Sequence, residues 1–389
     1  MNLRWQPSTA PDFDHYNLYT SRSELRDTKG LTPVHQIRDS TTRAHQVVGL
    51  EIGIRHSFAV AAVDKSGNEN RAVVSASAAP TRMPRGNIAP DLYVDLYASD
   101  AAWPGTTILP VNHDRGRPRI VEVNLLGEVV WEYRLPEQLS PYTNPGFDVE
   151  LLPTNNILMV LPGKGVYEIN RQGEIVWSYL DTKVSHDADR LPNGNTLVVY
   201  GNFDSIGDAQ VKEVSPAGQI VWAWYAGSYF NKAPYKDIYQ AGWTHTNAAT
   251  RLANGNTLIS TRNFNLLVEV DARGAVVRTI GEGLLIEAHD PEPLPNGNIL
   301  VANHGLPEKA IEIDPVTGRI VWQFPVPAQL LRDANRLPNG NTLITGGTVI
   351  IEVTPEGRVV WQLRLRPALQ PWEAPARGFY KAERVSIGR

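Results

Sequence analysis

The sequence predicts an all-β chain in two parts, a small β-sandwich followed by a six-bladed β-propeller. Three observations carry that expectation. A G-x-[IV]-V-[WR] unit recurs six times, as Gly127-Glu-Val-Val-Trp131, Gly173-Glu-Ile-Val-Trp177, Gly218-Gln-Ile-Val-Trp222, Gly274-Ala-Val-Val-Arg278, Gly318-Arg-Ile-Val-Trp322 and Gly357-Arg-Val-Val-Trp361. A second motif alternates with it: Leu191-Pro-Asn-Gly-Asn195, Leu252-Ala-Asn-Gly-Asn256, Leu294-Pro-Asn-Gly-Asn298 and Leu337-Pro-Asn-Gly-Asn341, with Leu152-Pro-Thr-Asn-Asn156 as a degenerate copy. The composition, with 31 Gly, 29 Pro and 10 Trp, favours strands and turns over long helices.

The five intervals between Gly127 and Gly357 span 230 residues, a mean of 46. Asn-Gly is the dipeptide of a type I′ turn, which needs two residues at positive φ, so each N-G-N is expected at a hairpin tip. The flanking runs are short and β-branched, which gives about four antiparallel strands per repeat, the pattern of a propeller blade. A β-solenoid has shorter repeats without such a hairpin. The recurring Trp is expected to pack between neighbouring blades.

The ends of the repeat predict how the ring closes. The first unit has strands at 107–111, 119–123 and 129–133 but no preceding L-P-N-G-N segment. Tyr380-Lys-Ala-Glu-Arg-Val385 aligns with His186-Asp-Ala-Asp-Arg-Leu191, so the C-terminal strand is expected to complete the first blade and remove an open edge. The propeller then occupies residues 104–389. Residues 1–80 alternate short strands and turns, through Leu3-Arg-Trp5, Tyr16-Asn-Leu-Tyr19, Gly49-Leu-Glu-Ile-Gly53 and Phe58-Ala-Val-Ala-Ala-Val63. This pattern resembles a fibronectin type III domain whose first strand is missing, with His56 where that family has a corner Tyr. Residues 81–103, with Pro84 and Pro90, read as linker.

Composition excludes several function classes. The 389 residues carry a net charge of −4, without the basic footprint of a nucleic-acid binder or a polybasic membrane binder. No apolar run approaches the roughly 18 residues of a membrane-spanning helix. With no Cys there is no disulfide, thiolate zinc site, iron–sulfur cluster or Cys nucleophile. The absence of Cys leaves the compartment open.

The strand leading into L-P-N-G-N is expected to line the central channel. The position five residues before each Leu is Phe147, His186, Asn247, His289, Arg332 and, by the C-terminal alignment, Tyr380. His245 lies two residues before Asn247 and points the same way. Arg262 follows the motif of one blade, and His304 takes the equivalent place in the next. The other His (His15, His35, His45, His56 and His113) carry no such pattern. Three His at related ring positions fit a His₃ metal site, but a facing Arg repels a metal ion and instead suits an oxyanion such as sulfate or phosphate. Imidazoles beside a bound anion are expected to have raised pKa values, and a neutral one can attack a group-transfer centre. No P-loop or G-x-G-x-x-G fingerprint points to a nucleotide donor, and no cofactor is expected.

Four motifs carry a family resemblance: His186-Asp-Ala-Asp-Arg-Leu-Pro-Asn-Gly-Asn195, Gly242-Trp-Thr-His245-Thr-Asn247, Ser260-Thr-Arg262-Asn-Phe-Asn265 and His289-Asp-Pro-Glu-Pro-Leu-Pro-Asn-Gly-Asn298. L-P-N-G-N alone is common among propellers; W-T-H-x-N followed by S-x-R-N-x-N is more specific. Together they resemble the bacterial arylsulfate sulfotransferase family, six-bladed propellers with a preceding β-sandwich. The resemblance implies transfer of a sulfuryl group from an aryl sulfate to a phenol through a transient sulfohistidine, with no nucleotide donor. His289 matches the family nucleophile; His186, His245 and Arg262 match residues that bind the sulfuryl oxygens and assist proton transfer. Asn247 is expected to fix a His tautomer or bind the anion, and Arg332, Tyr380 and His304 to contact substrate. The chain departs from the family at Asn303-His304-Gly305, where members usually have Asp-Asn-Gly. Members are periplasmic with a signal peptide and some have a disulfide; this chain shows neither. The partners implied are a small aryl sulfate and a phenol, with no nucleic acid, no membrane insertion and a homodimer through an exposed sandwich as one arrangement. Two other readings stand beside this one: a non-catalytic propeller that binds a glycan or protein, and a metal-dependent hydrolase or lyase using the His cluster. A quinone-dependent dehydrogenase fits less well, since those propellers usually have eight blades.

Overall fold

Each copy of the repeat folds as an antiparallel meander of short strands. The structure, a computed structural model, describes residues 2–47, 50, 55–78, 85–114, 117–144, 146–326, 330–366, 368, 373 and 377–385. It divides into two units, Met1–Pro84 with Pro338–Gly340 in one and Arg85–Leu337 with Asn341–Arg389 in the other. Helix among the described residues comprises Gly227–Phe230, the 3₁₀ turns Ser140–Tyr142 and Arg262–Phe264, and the single helical residue Arg377.

In the larger unit six antiparallel sheets follow one another along the chain. The second to fifth contain only their own consecutive strands: Val149–Leu151 to Ile175–Leu180, Ala188–Arg190 to Ile220–Trp224, Thr246–Arg251 to Val276–Ile280, and His289–Pro293 to Arg319–Pro325. The first is built on Thr106–Val111, Arg119–Asn124 and Glu128–Arg134, with Glu383–Val385 paired along Thr106–Val111. The sixth runs from Leu331–Arg336 to Val359–Leu365. The stretch expected as linker is not wholly linker. Asn87–Ile88 pairs with Glu128–Arg134 and Leu92–Tyr97 pairs with Val359–Leu365, so each adds a fifth strand to a sheet edge. The smaller unit has a four-stranded sheet (His35–Ile37, Phe13–Ser21, His56–Asp64, Ala76–Ala78) and a two-stranded one (Asn2–Arg4 with Ala44–Gln46). The strand expected at 49–53 falls on residues of which only position 50 is described.

The N-G-N tips differ from the expected type I′ turn. Only the Gly has positive φ, 86° at Gly194 and Gly255 and 89° at Gly297 and Gly340; the preceding Asn does not. Leu191 N donates to Asn195 O at 2.8 Å and Gly194 N donates to Leu191 O at 2.9 Å. This is a three-residue loop, a type I turn closed by a left-handed Gly. Pro192 presets φ for the first turn position, which a type I′ turn would need positive. In the degenerate copy Asn155 takes the Gly place at φ 68°.

Repeated side-chain bonds join sheet to sheet. The last Asn of the motif donates to a Glu on the third strand of its own sheet, in Asn156–Glu168, Asn195–Glu213, Asn256–Glu269 and Asn298–Glu312 at 2.6 Å and in Asn341–Glu352 at 2.7 Å. An Arg from the following sheet binds several of the same carboxylates: Arg190 on Glu168, Arg251 on Glu213 and Arg336 on Glu312. Those guanidiniums lie over Trp177, Trp222 and Trp322 at 4.7, 5.5 and 5.0 Å from the ring centroid. Two of these indoles in turn donate to the next sheet's turn, Trp177 Nε1 to Pro216 O and Trp322 Nε1 to Pro355 O, both at 2.9 Å, while Trp222 Nε1 is buried without a partner. The motif Trp thus packs between sheets. The same pattern links sixth sheet to first: Arg384, beside Glu383–Val385, binds Glu352 at 2.9 Å and covers Trp361, which donates to Leu125 O.

The Arg384–Glu352 pair has no side-chain exposure on either partner. Removing one partner of a buried pair costs about 3–5 kcal/mol. Arg384→Met is expected to lower unfolding stability by that order, and Arg384→Met/Glu352→Gln to recover most of it. Denaturant titration followed by Trp fluorescence checks both; an unchanged single variant contradicts the role given to the pair.

Candidate functional site

The expected ring positions fall at or just before the first strand of each sheet. Phe147, His186, Asn247 and His289 are buried, while Arg332 and Tyr380 are half-buried. The next residue in each segment is Asp148, Asp187, Ala248, Asp290, Asp333 and Lys381. A layer of imidazole, amide, guanidinium and phenol therefore adjoins a layer of carboxylates with one ammonium.

His186 and His245 are in direct contact, Nε2 to Nε2 at 3.1 Å. The surrounding partners assign the protons. His245 Nδ1 lies 2.9 Å from Ala241 O, an acceptor only, so it carries a proton and leaves Nε2 as the acceptor. His186 Nε2–H then donates to His245, and His186 Nδ1 accepts from the Ser185 hydroxyl at 2.7 Å. The Ser185 oxygen accepts from Gly201 N and Asn202 N, which turns its own proton towards His186. A Cβ at Gly201 would stand 2.9 Å from His186 Nδ1 and 2.2 Å from Thr246 O, so only glycine leaves room for this ring. Asp204 holds the backbone around His245, accepting from Thr244 N and His245 N at 3.2 Å.

His289 sits one sheet further on. The carbonyl of Ala288, just before it, accepts from Asn247 Nδ2 at 3.0 Å and Ser260 Oγ at 2.7 Å. Asn247 thus anchors the backbone leading to His289; its amide bonds neither to a His ring nor through Oδ1, which is buried without a partner. His289 Nε2 is likewise buried and unpartnered. The His304 ring stacks on His289 at 4.5 Å and 17°. His304 Nε2 donates to Leu331 O, and Nδ1 lies 3.5 Å from Glu287 Oε2. The same Glu287 oxygen accepts from Arg262, whose other terminal nitrogen donates to Asn263. Hydrogen bonding from His304, and then the Arg262 charge, outweigh burial and hold Glu287 down to about 2. Arg332 lies over Tyr380 at 5.5 Å, and the Tyr380 ring is 6.2 Å from His186.

The imidazole pKa values run opposite to the expectation for an anion-loaded site. Burial, reinforced by neighbouring positive charge, pushes His186 and His289 well below the ordinary value and His245 down to about 4. Arg262 and Arg332 contribute at all three, so both guanidiniums act on the same imidazoles. Non-glycine residues with left-handed backbone gather here: His186 at φ 72°, His245 and Glu287 at 47°, Asp290 at 42°. Such conformations cost on the order of 1–3 kcal/mol each and concentrate at functional sites.

Sequence reasoning missed three residues of this arrangement. Glu287, which neutralises Arg262, has no counterpart in the repeat and so left no periodic signal. Asp204 lies in an irregular loop. Lys381 had a signal, since the repeat alignment puts Lys where four other segments have Asp. Lys381 Nζ pairs with Asp290 and lies 3.8 Å from Asp148. Burial opposes its charge, but Asp290, Asp333, Asp148 and Asp187 together hold its pKa well above the lysine value. Among the described residues no three His, Asp or Glu side chains are grouped as a metal site requires. A cavity of about 440 Å³, lined by Glu150, Asp189, Thr250 and Arg251, lies at the L-P-N-G-N end of the first strands, away from the imidazoles.

Residues 106–284 match the family model described as Arylsulfotransferase (ASST). The match includes His186, His245, Asn247 and Arg262 and ends before His289. Among solved structures, a protein of unknown function from Bacteroides caccae aligns at TM-score 0.50 with 21% identity, covering 67% of this chain and 94% of its own. A streptogramin B lyase aligns at TM-score 0.44 with 11% identity over 72% of this chain and 88% of its own. The WD40 β-propeller domain of Doa1 aligns at 0.44 with 13% identity over 79% and 88%. No curated protein matches the chain in sequence.

A histidine whose folded pKa is depressed is neutral in the folded state where the unfolded chain is already charged, so it favours folding above about 6.5 and loses that contribution as pH falls towards the folded value. Proton NMR of the imidazole resonances, assigned with His245→Gln, is expected to place the His245 midpoint near 4. A midpoint at 6 or above contradicts the enclosed, cation-flanked environment described here.

Proposed function

We propose that the chain is an arylsulfate sulfotransferase-like enzyme that moves a sulfuryl group from an aryl sulfate to a phenol. The larger unit is read as a six-bladed propeller whose first blade is completed by Glu383–Val385, and the smaller as a fibronectin type III-like sandwich. The observation that carries the functional reading is the match of residues 106–284 to the arylsulfotransferase family together with the neutral, cation-flanked imidazoles.

His289 is the proposed nucleophile. Its unpartnered Nε2 has no hydrogen bond to break before attack on sulfur. That nitrogen is covered in this structure, so the donor must displace a neighbouring side chain to reach it. The new N–S bond forms as the sulfur–aryloxygen bond breaks, and the bond pair leaves on the phenolate. His186 Nε2–H, released from His245, hydrogen-bonds the leaving phenolate oxygen and keeps its proton. In the second half the acceptor phenol gives its proton to the Nε2 lone pair of His245 and attacks sulfur, the N–S bond breaks to return neutral His289, and His245 passes the proton to the departed phenolate or to water. Arg262 stabilises charge on the sulfuryl oxygens. Neutral imidazoles suit both roles, because a protonated ring has no lone pair for attack or for proton acceptance.

Incubation with 4-nitrophenyl sulfate and phenol is expected to release 4-nitrophenol and form phenyl sulfate. His289→Ala is expected to abolish release, and His186→Ala to reduce kcat/KM by about 10²–10⁴-fold. An alkaline denaturing quench during turnover, which preserves the acid-labile N–S bond, is expected to trap label from the donor on His289. No release by the wild type, or undiminished release by His289→Ala, overturns the reading.

A further inference from the structure

Two guanidiniums act on the imidazoles, and their surroundings differ. Arg262 is matched: Glu287 takes its charge and Asn263 a further N–H. The other well-shielded arginines of the larger unit are matched too, including Arg119 by Asp91, Arg190 by Glu168, Arg336 by Glu312 and Arg384 by Glu352. Arg332 is not. It makes no hydrogen bond or ion pair with a described residue; its guanidinium lies against the Tyr380 ring, and Glu308 and Glu287 act on it only through space. A half-buried guanidinium has five donors to satisfy, and leaving its charge without an anion is costly in a low-dielectric setting. Its fork geometry fits two oxygens of one oxyanion.

We infer that Arg332, stacked on Tyr380 in the layer of His186 and His289, is the residue that binds the donor's oxyanion, and that the site takes an aryl oxyanion on the open guanidinium fork. The identity of that anion as an aryl sulfate rests on the function proposed above. Arg262, already paired with Glu287, then orients the sulfuryl group and Arg332 supplies the donors that no internal group occupies. Tyr380 holds the guanidinium plane by stacking and offers the donor's ring an aromatic neighbour.

The test uses the full chain and benzenesulfonate, a monoanion with no transferable group, measured by calorimetry, beside the 4-nitrophenyl sulfate assay. Arg332→Met is expected to weaken benzenesulfonate at least tenfold and lower kcat/KM by about 10²–10³-fold. Arg332→Lys should recover part of both, since it restores charge without the fork. Because Arg332 has no internal partner, Arg332→Met is expected to melt at the wild-type temperature or above, which separates lost binding from lost folding. Benzenesulfonate bound through Arg332 by a wild type that transfers nothing keeps this inference and overturns the transferase reading. Transfer and binding within threefold of wild type in Arg332→Met overturns the inference and leaves the transferase reading standing. A wild type that does not bind benzenesulfonate also overturns it.

Discussion

One ammonium among buried carboxylates is the constraint on which the candidate site depends. Lys381 pairs with Asp290 and faces Asp148, and the charges of Asp187 and Asp333 also reach it. These aspartates come from the first strands of four different sheets, and Lys381 from the C-terminal segment. Without that cation, like charges would be forced together where water cannot screen them. Some carboxylates respond by holding protons. Burial, with neighbouring carboxylates adding to it, raises Asp148 to about 7 and lifts Asp187 and Asp333 well above the ordinary range. Asp290, the residue Lys381 binds, directly follows His289 and has left-handed backbone, at an irregularity in the pairing of His289–Pro293 with its neighbour strand. The C-terminal segment thus fixes the chain next to the proposed nucleophile while its preceding residue, Tyr380, stands beside His186.

A second set of contacts keeps that centre in register. The Glu–Asn–Arg–Trp arrangement repeats from sheet to sheet and satisfies buried polar groups at each junction, so neighbouring sheets cannot slide without breaking charged hydrogen bonds. The candidate site is then built from loops and strand starts held by a rigid frame, which suits groups that must keep fixed distances. The sparse fit of Glu269 illustrates the rule. The fifth sheet has Pro293 where others have Arg, and Glu269 turns to Arg278 of its own sheet.

Enclosure decides the protonation state of the imidazoles. His186 and His245 lie against one another and His289 against His304, the charges of Arg262 and Arg332 reach all three, and burial removes the water that would stabilise their charged forms. The outcome is a set of neutral rings with defined tautomers beside guanidiniums that stay charged. That division of labour, lone pairs from histidine and charge from arginine, is what transfer of an anionic group requires.

Much of this was legible in the sequence because it is periodic. The recurring Trp, the L-P-N-G-N turns and the residues five before each Leu are each set by local chemistry that repeats, and strands form at or beside the segments they mark. The type I turn with its left-handed Gly was misread because the Asn-Gly rule ignores the Pro two residues before the Gly. The strands Asn87–Ile88 and Leu92–Tyr97 were not legible, since so short a segment is stabilised only by the sheet edge it meets. The candidate residues could be named from their spacing, but not their partners. That Glu287 neutralises Arg262, that Ser185 and Ala241 set the tautomers of His186 and His245, and that Arg332 lacks an ion-pair partner are decided by contacts between segments remote in sequence. Local pattern determines which side chains stand at the start of each strand; only tertiary burial and proximity determine which of them are charged, neutral or free to bind.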